Sequence, residues 1–153
     1  MPDTVPILLI VFNRPEKTRR VIDALRQVRP ARLFITADGP RPDRSEDAEK
    51  CRITRQVALE IDWPCEVKTR FLDDNMGCDP CVSSAVTWFF KNVHEGVILE
   101  DDCVPHPHYF KFCQEMFERY SDDKRIMQVS GFSPYPKRQH PYDYHFSRAF
   151  RCG

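Results

Sequence analysis

Glycine is scarce in this chain: there are five among 153 residues. Neither a G-x-G-x-x-G fingerprint nor a P-loop occurs, which argues against dinucleotide-binding and P-loop chemistry. A G-x-S-x-G nucleophile elbow is missing too. Net charge is lacking, with 23 Lys and Arg against 23 Asp and Glu. A dedicated nucleic-acid binder carries a broad basic field, so no nucleic-acid partner is expected. Long hydrophobic runs are absent. The longest, Ile7 to Phe12, is far too short to cross a bilayer, so no transmembrane segment is expected. No basic segment precedes it, as a secretory signal peptide would require. No internal repeat or low-complexity tract appears, and the 13 prolines are scattered.

What is present is an ordinary globular balance of 41% hydrophobic and 30% charged residues, which argues against wholesale disorder. The length suits a single domain, 1–153, with a real core. The seven cysteines are Cys51, Cys65, Cys78, Cys81, Cys103, Cys113 and Cys152. An odd count without a signal peptide suggests reduced thiols and a cytoplasmic location.

Apolar strands alternate with amphipathic helices. Pro6 to Phe12 is continuously apolar, as a strand covered on both faces is. Asn13 is positioned to cap a helix bearing Val21, Ile22, Leu25 and Val28 on one face. Arg32 to Ala37 is the second strand, and Asp43 or Ser45 opens a second helix. Cys65 to Leu72 alternates as a half-buried strand. Asp79-Pro80 starts the clearest helix, with Val82, Ala85, Val86, Phe89 and Phe90 at helical spacing. Gly96 to Leu99 is a short buried strand, Pro107 opens a fourth helix, and Ile126 to Ser130 is expected as a fifth strand. Phe89, Phe90, Phe110 and Phe117 are expected in the core. This β-α alternation predicts an α/β fold: a Rossmann-like, mostly parallel sheet with helices on both faces. Ligands of such sheets bind beyond the carboxyl ends of the strands.

Those ends carry the chemistry. Glu100-Asp101-Asp102 is the sharpest feature, because three adjacent acids after a buried strand repel one another near a low-dielectric core. A hard divalent cation, Mg²⁺ or Mn²⁺, would offset that cost, and one or two carboxylates suffice when a diphosphate supplies further oxygens. The plainer explanation is a solvated acidic turn or a cap for the helix at Pro107. Asp38-Gly39-Pro40 is either a turn or an acceptor for a base or ribose. Arg14, beside a helix start, is either a surface residue or a phosphate ligand. Asn75 and Gly77 supply turn and cap chemistry, or a loop that a ligand approaches closely. Cys78-Asp79-Pro80-Cys81 is a lone CxxC, more suggestive of buried or edge thiols than of zinc or redox work. His106 and His108 are two apart and do not share a helix face.

At these loops the sequence resembles the nucleotide-sugar glycosyltransferases of the GT-A fold, near the N-acetylglucosaminyltransferase I family and bacterial family-2-like sugar transferases. The segments that carry the resemblance are PILLIVFNRP, ITADGP, LDDNMGC, GVILEDDCVPHPHYFKFCQEMFERY and IMQVSGF. The resemblance implies that Glu100-Asp101-Asp102 is a DxD-type motif. Asp102 would ligate Mn²⁺ or Mg²⁺ against the donor diphosphate, Asp101 would lie near the ribose or sugar, and Glu100 would support the motif. Asp38 would accept from the base, while Phe12 and Arg14 would line the nucleotide and phosphate pocket. The implied donor is a UDP- or GDP-linked sugar, the acceptor a hydroxyl of a carbohydrate or protein. The chain stops soon after the fifth expected strand, where the family continues. A donor-binding half is therefore expected, without the acceptor half, and no catalytic base is assigned. If the chain turned over alone, the base would be sought among Asp122, Asp123 and Asp143. The main alternative is a non-catalytic module that binds a nucleotide or a protein on the same fold. A phosphotransfer enzyme fits poorly, because Phe12-Asn13-Arg14 offers no acid after the first strand.

Overall fold

The computed structural model describes residues 5–131 and 144–148. The element order is β1 (Ile7–Val11), α1 (Pro15–Val28), β2 (Arg32–Ala37), α2 (Asp47–Ala58), β3 (Glu66–Phe71), α3 (Cys78–Phe90), β4 (Val97–Glu100) and α4 (Pro107–Tyr120). The strands form one parallel sheet in the order β3-β2-β1-β4. It is the expected Rossmann-like α/β arrangement.

β1 is buried along its whole length because both of its faces are covered. Ile7, Leu9 and Val11 meet Val21, Ile22 and Leu25 of α1, Ala58 beyond them on α2, and Cys113 of α4. Leu8 and Ile10 join Phe34 on the opposite face, under Ala85 and Phe89 of α3. Each such aliphatic side chain contributes about 1.5–3 kcal/mol of transfer free energy. The chain runs β1 to β2 to β3 in one direction, then crosses back to place β4 on the far side of β1. Right-handed crossovers put helices of opposite travel on opposite faces, which accounts for α3 standing alone. α1 starts at Pro15, whose missing N–H costs nothing in a first turn, and ends with Arg29 in the left-handed region.

Several expectations are corrected. Ile126 to Ser130 is not a strand. Ile126 and Val129 are the half-buried apolar residues there, and three residues apart they would face opposite sides of a strand; Met127 stands 93% exposed. Tyr142 to Ser147 also reads as a strand in sequence; Tyr142 and Asp143 lie outside the described residues, and Tyr144 to Ser147 are not in a strand. Tyr144 packs on α4 instead, its hydroxyl 2.9 Å from an Arg119 nitrogen and 2.7 Å from the Tyr120 hydroxyl. Phe90 is exposed at 46%, because α3 turns Phe89 rather than Phe90 onto Phe34. Asn13 does not cap α1. Arg14 holds the cap position, and the Asn13 amide donates to Asp47 instead. α2 begins at Asp47 rather than at Asp43 or Ser45, with Glu46 in the cap position.

Candidate functional site at the carboxyl ends of the strands

The strand order reverses between β1 and β4, and the loops after these two strands part at that point. Ile10 pairs with Glu100 and Val11 with Ala37, so Phe12, Asp38 and the Asp101-Asp102 pair emerge at similar height on the rim. Alternation along β4 buries Val97 and Leu99 and sends Ile98 and Glu100 to the other face. The acidic triplet is thereby divided. Glu100 is exposed, Asp101 turns inward to 5% exposure, and the Asp102 side chain is half-open at 42%.

Arg14 joins the last two acids. One guanidinium nitrogen lies 3.2 Å from Asp101 Oδ1 and 3.0 Å from Asp102 Oδ2. Lys17, one helical turn on, places Nζ 3.5 Å from the same Asp102 oxygen. Burial pushes the Asp101 carboxyl above the ordinary carboxylate value. Arg14 opposes that shift, Asp102 adds to it, and the Phe12 backbone N–H opposes it as well. The triplet does not cap α4, since His106 does so, with its Nδ1 accepting from the His108 N–H at 3.3 Å. The donor set is two carboxylates, one of them open to solvent. Such hard oxygen ligands suit Mg²⁺ or Mn²⁺ completed by phosphate oxygens. Among the described residues no group of three or more His, Cys, Asp or Glu side chains forms a cage without such help.

Asp38, also at 5% exposure, is employed differently. Its carboxylate accepts from the N–H groups of Gly39 (2.9 Å), Met76 (2.9 Å) and Gly77 (3.1 Å) and from the Asn75 amide (3.0 Å). Four donors match the four lone-pair sites of a carboxylate. Asn75 also donates to the Gly39 carbonyl at 2.8 Å. The two loops meet backbone to backbone: a Cβ on Gly39 would fall 2.3 Å from the Asp74 carbonyl carbon, so only glycine fits. Gly77, at φ 83°, turns the chain into α3.

No family model, curated protein or solved structure matches this chain.

Two of its supports escape the sequence pattern. Asp47, fully buried at the start of α2, accepts from the Arg41 side chain at 2.6 and 3.0 Å and from Asn13 at 2.8 Å. That holds its carboxyl well below the usual range, with the Arg41 hydrogen bonds the largest cause. Arg41 in turn lies 5.5 Å above the ring of Phe12. Phe12 is thus framed by the two rims, since its N–H reaches Asp101 and its face meets Arg41. Nothing in the run from Asp43 to Lys50 marks Asp47 out from its charged neighbours, whereas Lys17 was within reach of a helical-spacing argument from Arg14. Of the acids named as fallback bases, Asp123 is bound by Arg125 and held down to about 2, which makes it a weak base. Asp143 lies outside the described residues.

Proposed function

We propose that the chain is the donor-binding part of a metal-dependent glycosyltransferase and takes a nucleoside-diphosphate sugar, UDP- or GDP-linked, at the rim between β1 and β4. One observation carries the reading: Arg14 bridges Asp101 and Asp102 at the point where the strand order reverses. Two carboxylates there suit a hard cation, and two cationic side chains suit a diphosphate. Bound Mg²⁺ or Mn²⁺ would supply fixed positive charge against the diphosphate, with Asp102 as its protein ligand and Asp101 beside it. Arg14 and Lys17 would then turn their charge to the phosphate oxygens, beside the N-terminus of α1. Their contribution is to stabilise negative charge that grows on the leaving nucleoside diphosphate. Phe12 would offer its ring to the nucleotide. Asp38 would act through the loop it closes, and a direct base contact would need one of its four present donors to give way. Glu100, on the other face of β4, would serve by shaping the turn. The attacking hydroxyl comes from a carbohydrate or protein acceptor.

Titration calorimetry with UDP, GDP and their sugars, with and without Mn²⁺, tests this. The expected result is binding that strengthens at least about tenfold with the metal, equivalent to about 1.4 kcal/mol. Asp102→Ala should abolish that dependence, yet leave the melting temperature within about 2 °C, because exposed ion pairs stabilise little. Equal heats with and without metal would overturn the metal-dependent reading. The same ion pairs support one competing account. Arg14 and Lys17 already neutralise the two acids, as they would in a non-catalytic module that binds a nucleotide or a protein. That account predicts metal-independent nucleotide binding or none.

A further inference from the structure

Cys78 and Cys81 stand apart from the charged rim. Cys78 is the first residue of α3 and is exposed; Cys81 follows one turn later and is buried. Residues three apart on a helix share a face, with Cβ atoms about 5–6 Å apart. A disulfide needs them at about 3.5–4.5 Å, so closing the first turn slightly brings the sulfurs within bonding reach. Little opposes that closure. Pro80 has no N–H, the preceding two N–H groups precede the first helical bond, and the Cys81 N–H bonds the Gly77 carbonyl at 3.0 Å. Gly77, at φ 83°, provides a hinge directly before the pair.

We propose that Cys78 and Cys81 form a dithiol–disulfide pair, Cys78 attacking and Cys81 resolving. The roles follow from placement. Cys78 is the exposed thiol among the described cysteines and opens α3, where a small disulfide can reach it. Cys81 is shielded, and burial pushes its thiol up; Asp38 and Cys78 add to the shift while Arg70 opposes it. Its burial keeps it out of reach of the small disulfide until Cys78 delivers a sulfur beside it. The co-reactant is a low-molecular-weight disulfide. The Cys78 thiolate attacks one of its sulfurs, the S–S bond breaks, and one thiolate departs. Cys81 then loses its proton to water and attacks the Cys78 sulfur, expelling the second thiolate. The two cysteines give up two electrons, and the small disulfide becomes two thiols. The ring so formed adjoins the loop that Asp38 holds, through Gly77.

The test uses the reduced full chain, oxidised glutathione as probe, alkylation of remaining thiols, and peptide mapping by mass spectrometry. The expected product is a Cys78–Cys81 link, a loss of about 2 Da, reversed by reduced glutathione. Cys81→Ser should accumulate one glutathione on Cys78, because nothing resolves the mixed disulfide. Cys78→Ser, at an exposed position that does not threaten folding, should give no link and about tenfold less glutathione on Cys81. Separate glutathione adducts on both cysteines of the wild-type chain without a link would overturn the proposal. So would a Cys78→Ser variant whose Cys81 reacts as fast as the pair.

Discussion

Asp38 and Asp101 are the same residue type, follow the parallel strands on either side of β1, and are equally hidden from water. Their surroundings differ. Asp38 accepts four hydrogen bonds from its own two loops, so its charge is fully answered by architecture. Asp101 has Arg14, half-exposed, and the Phe12 N–H against the repulsion of Asp102, and burial prevails. A buried carboxylate with complete partners is a structural joint. One left short of compensation is where an added cation gains most. The β2–β3 side of the rim is thus a finished frame, and the β1–β4 side holds a buried carboxylate with fewer partners.

Removing the joint should have the largest effect. Asp38→Ala leaves the Met76 and Gly77 N–H groups without their acceptor and is expected to cost about 3 kcal/mol. In a domain of this size that lowers the melting temperature by roughly 6–12 °C. Thermal denaturation followed by circular dichroism measures it, and a loss below about 2 °C would show that the loops hold without this carboxylate. The contrast with Asp102→Ala, where stability is expected to stay and metal dependence to go, separates frame from site.

The sheet was largely legible because its signals are local. A run buried on both faces has to be apolar throughout, and Arg32–Ala37 forms the second strand with the bounds expected of it. Ile126–Ser130 misled because a short apolar run says nothing about whether a neighbouring edge accepts it. Arg14, Asp101 and Asp102 could be placed near one another because topology assigns strand ends to one rim. Asp47 and Arg41 could not, since their pairing depends on how two loops approach in space. In sequence Gly39 is a turn glycine; its stronger reason, the backbone of Asp73 and Asp74 where a Cβ would stand, is a tertiary fact.

Acid should act on the frame first. Arg41 and Asn13 hold the Asp47 carboxyl below its ordinary value. Its stabilising contribution is therefore fully present above the unfolded value, near 4, and is lost as pH falls through and below that range. Urea midpoints measured between pH 6 and pH 3 should fall more steeply in the wild-type chain than in Asp47→Asn. Equal slopes would mean that this pair adds nothing that titrates.

The smallest expected change is also the most discriminating, and its sign is opposite. Asp101 has a folded value above its unfolded one, so its ionised form is worse placed in the fold than in the unfolded chain. That cost is fully present above the raised value and disappears as pH falls below the unfolded value. Asp101→Asn removes the charge while preserving shape. At pH 7 it should leave the melting temperature unchanged or raise it by about 1–3 °C, with nucleotide binding in Mn²⁺ weakened. Stability gained while binding is lost is the signature of a side chain kept at a cost for its ligand. A fall of several degrees would place Asp101 with Asp38 among the joints, and the difference between the two sides of the rim would disappear.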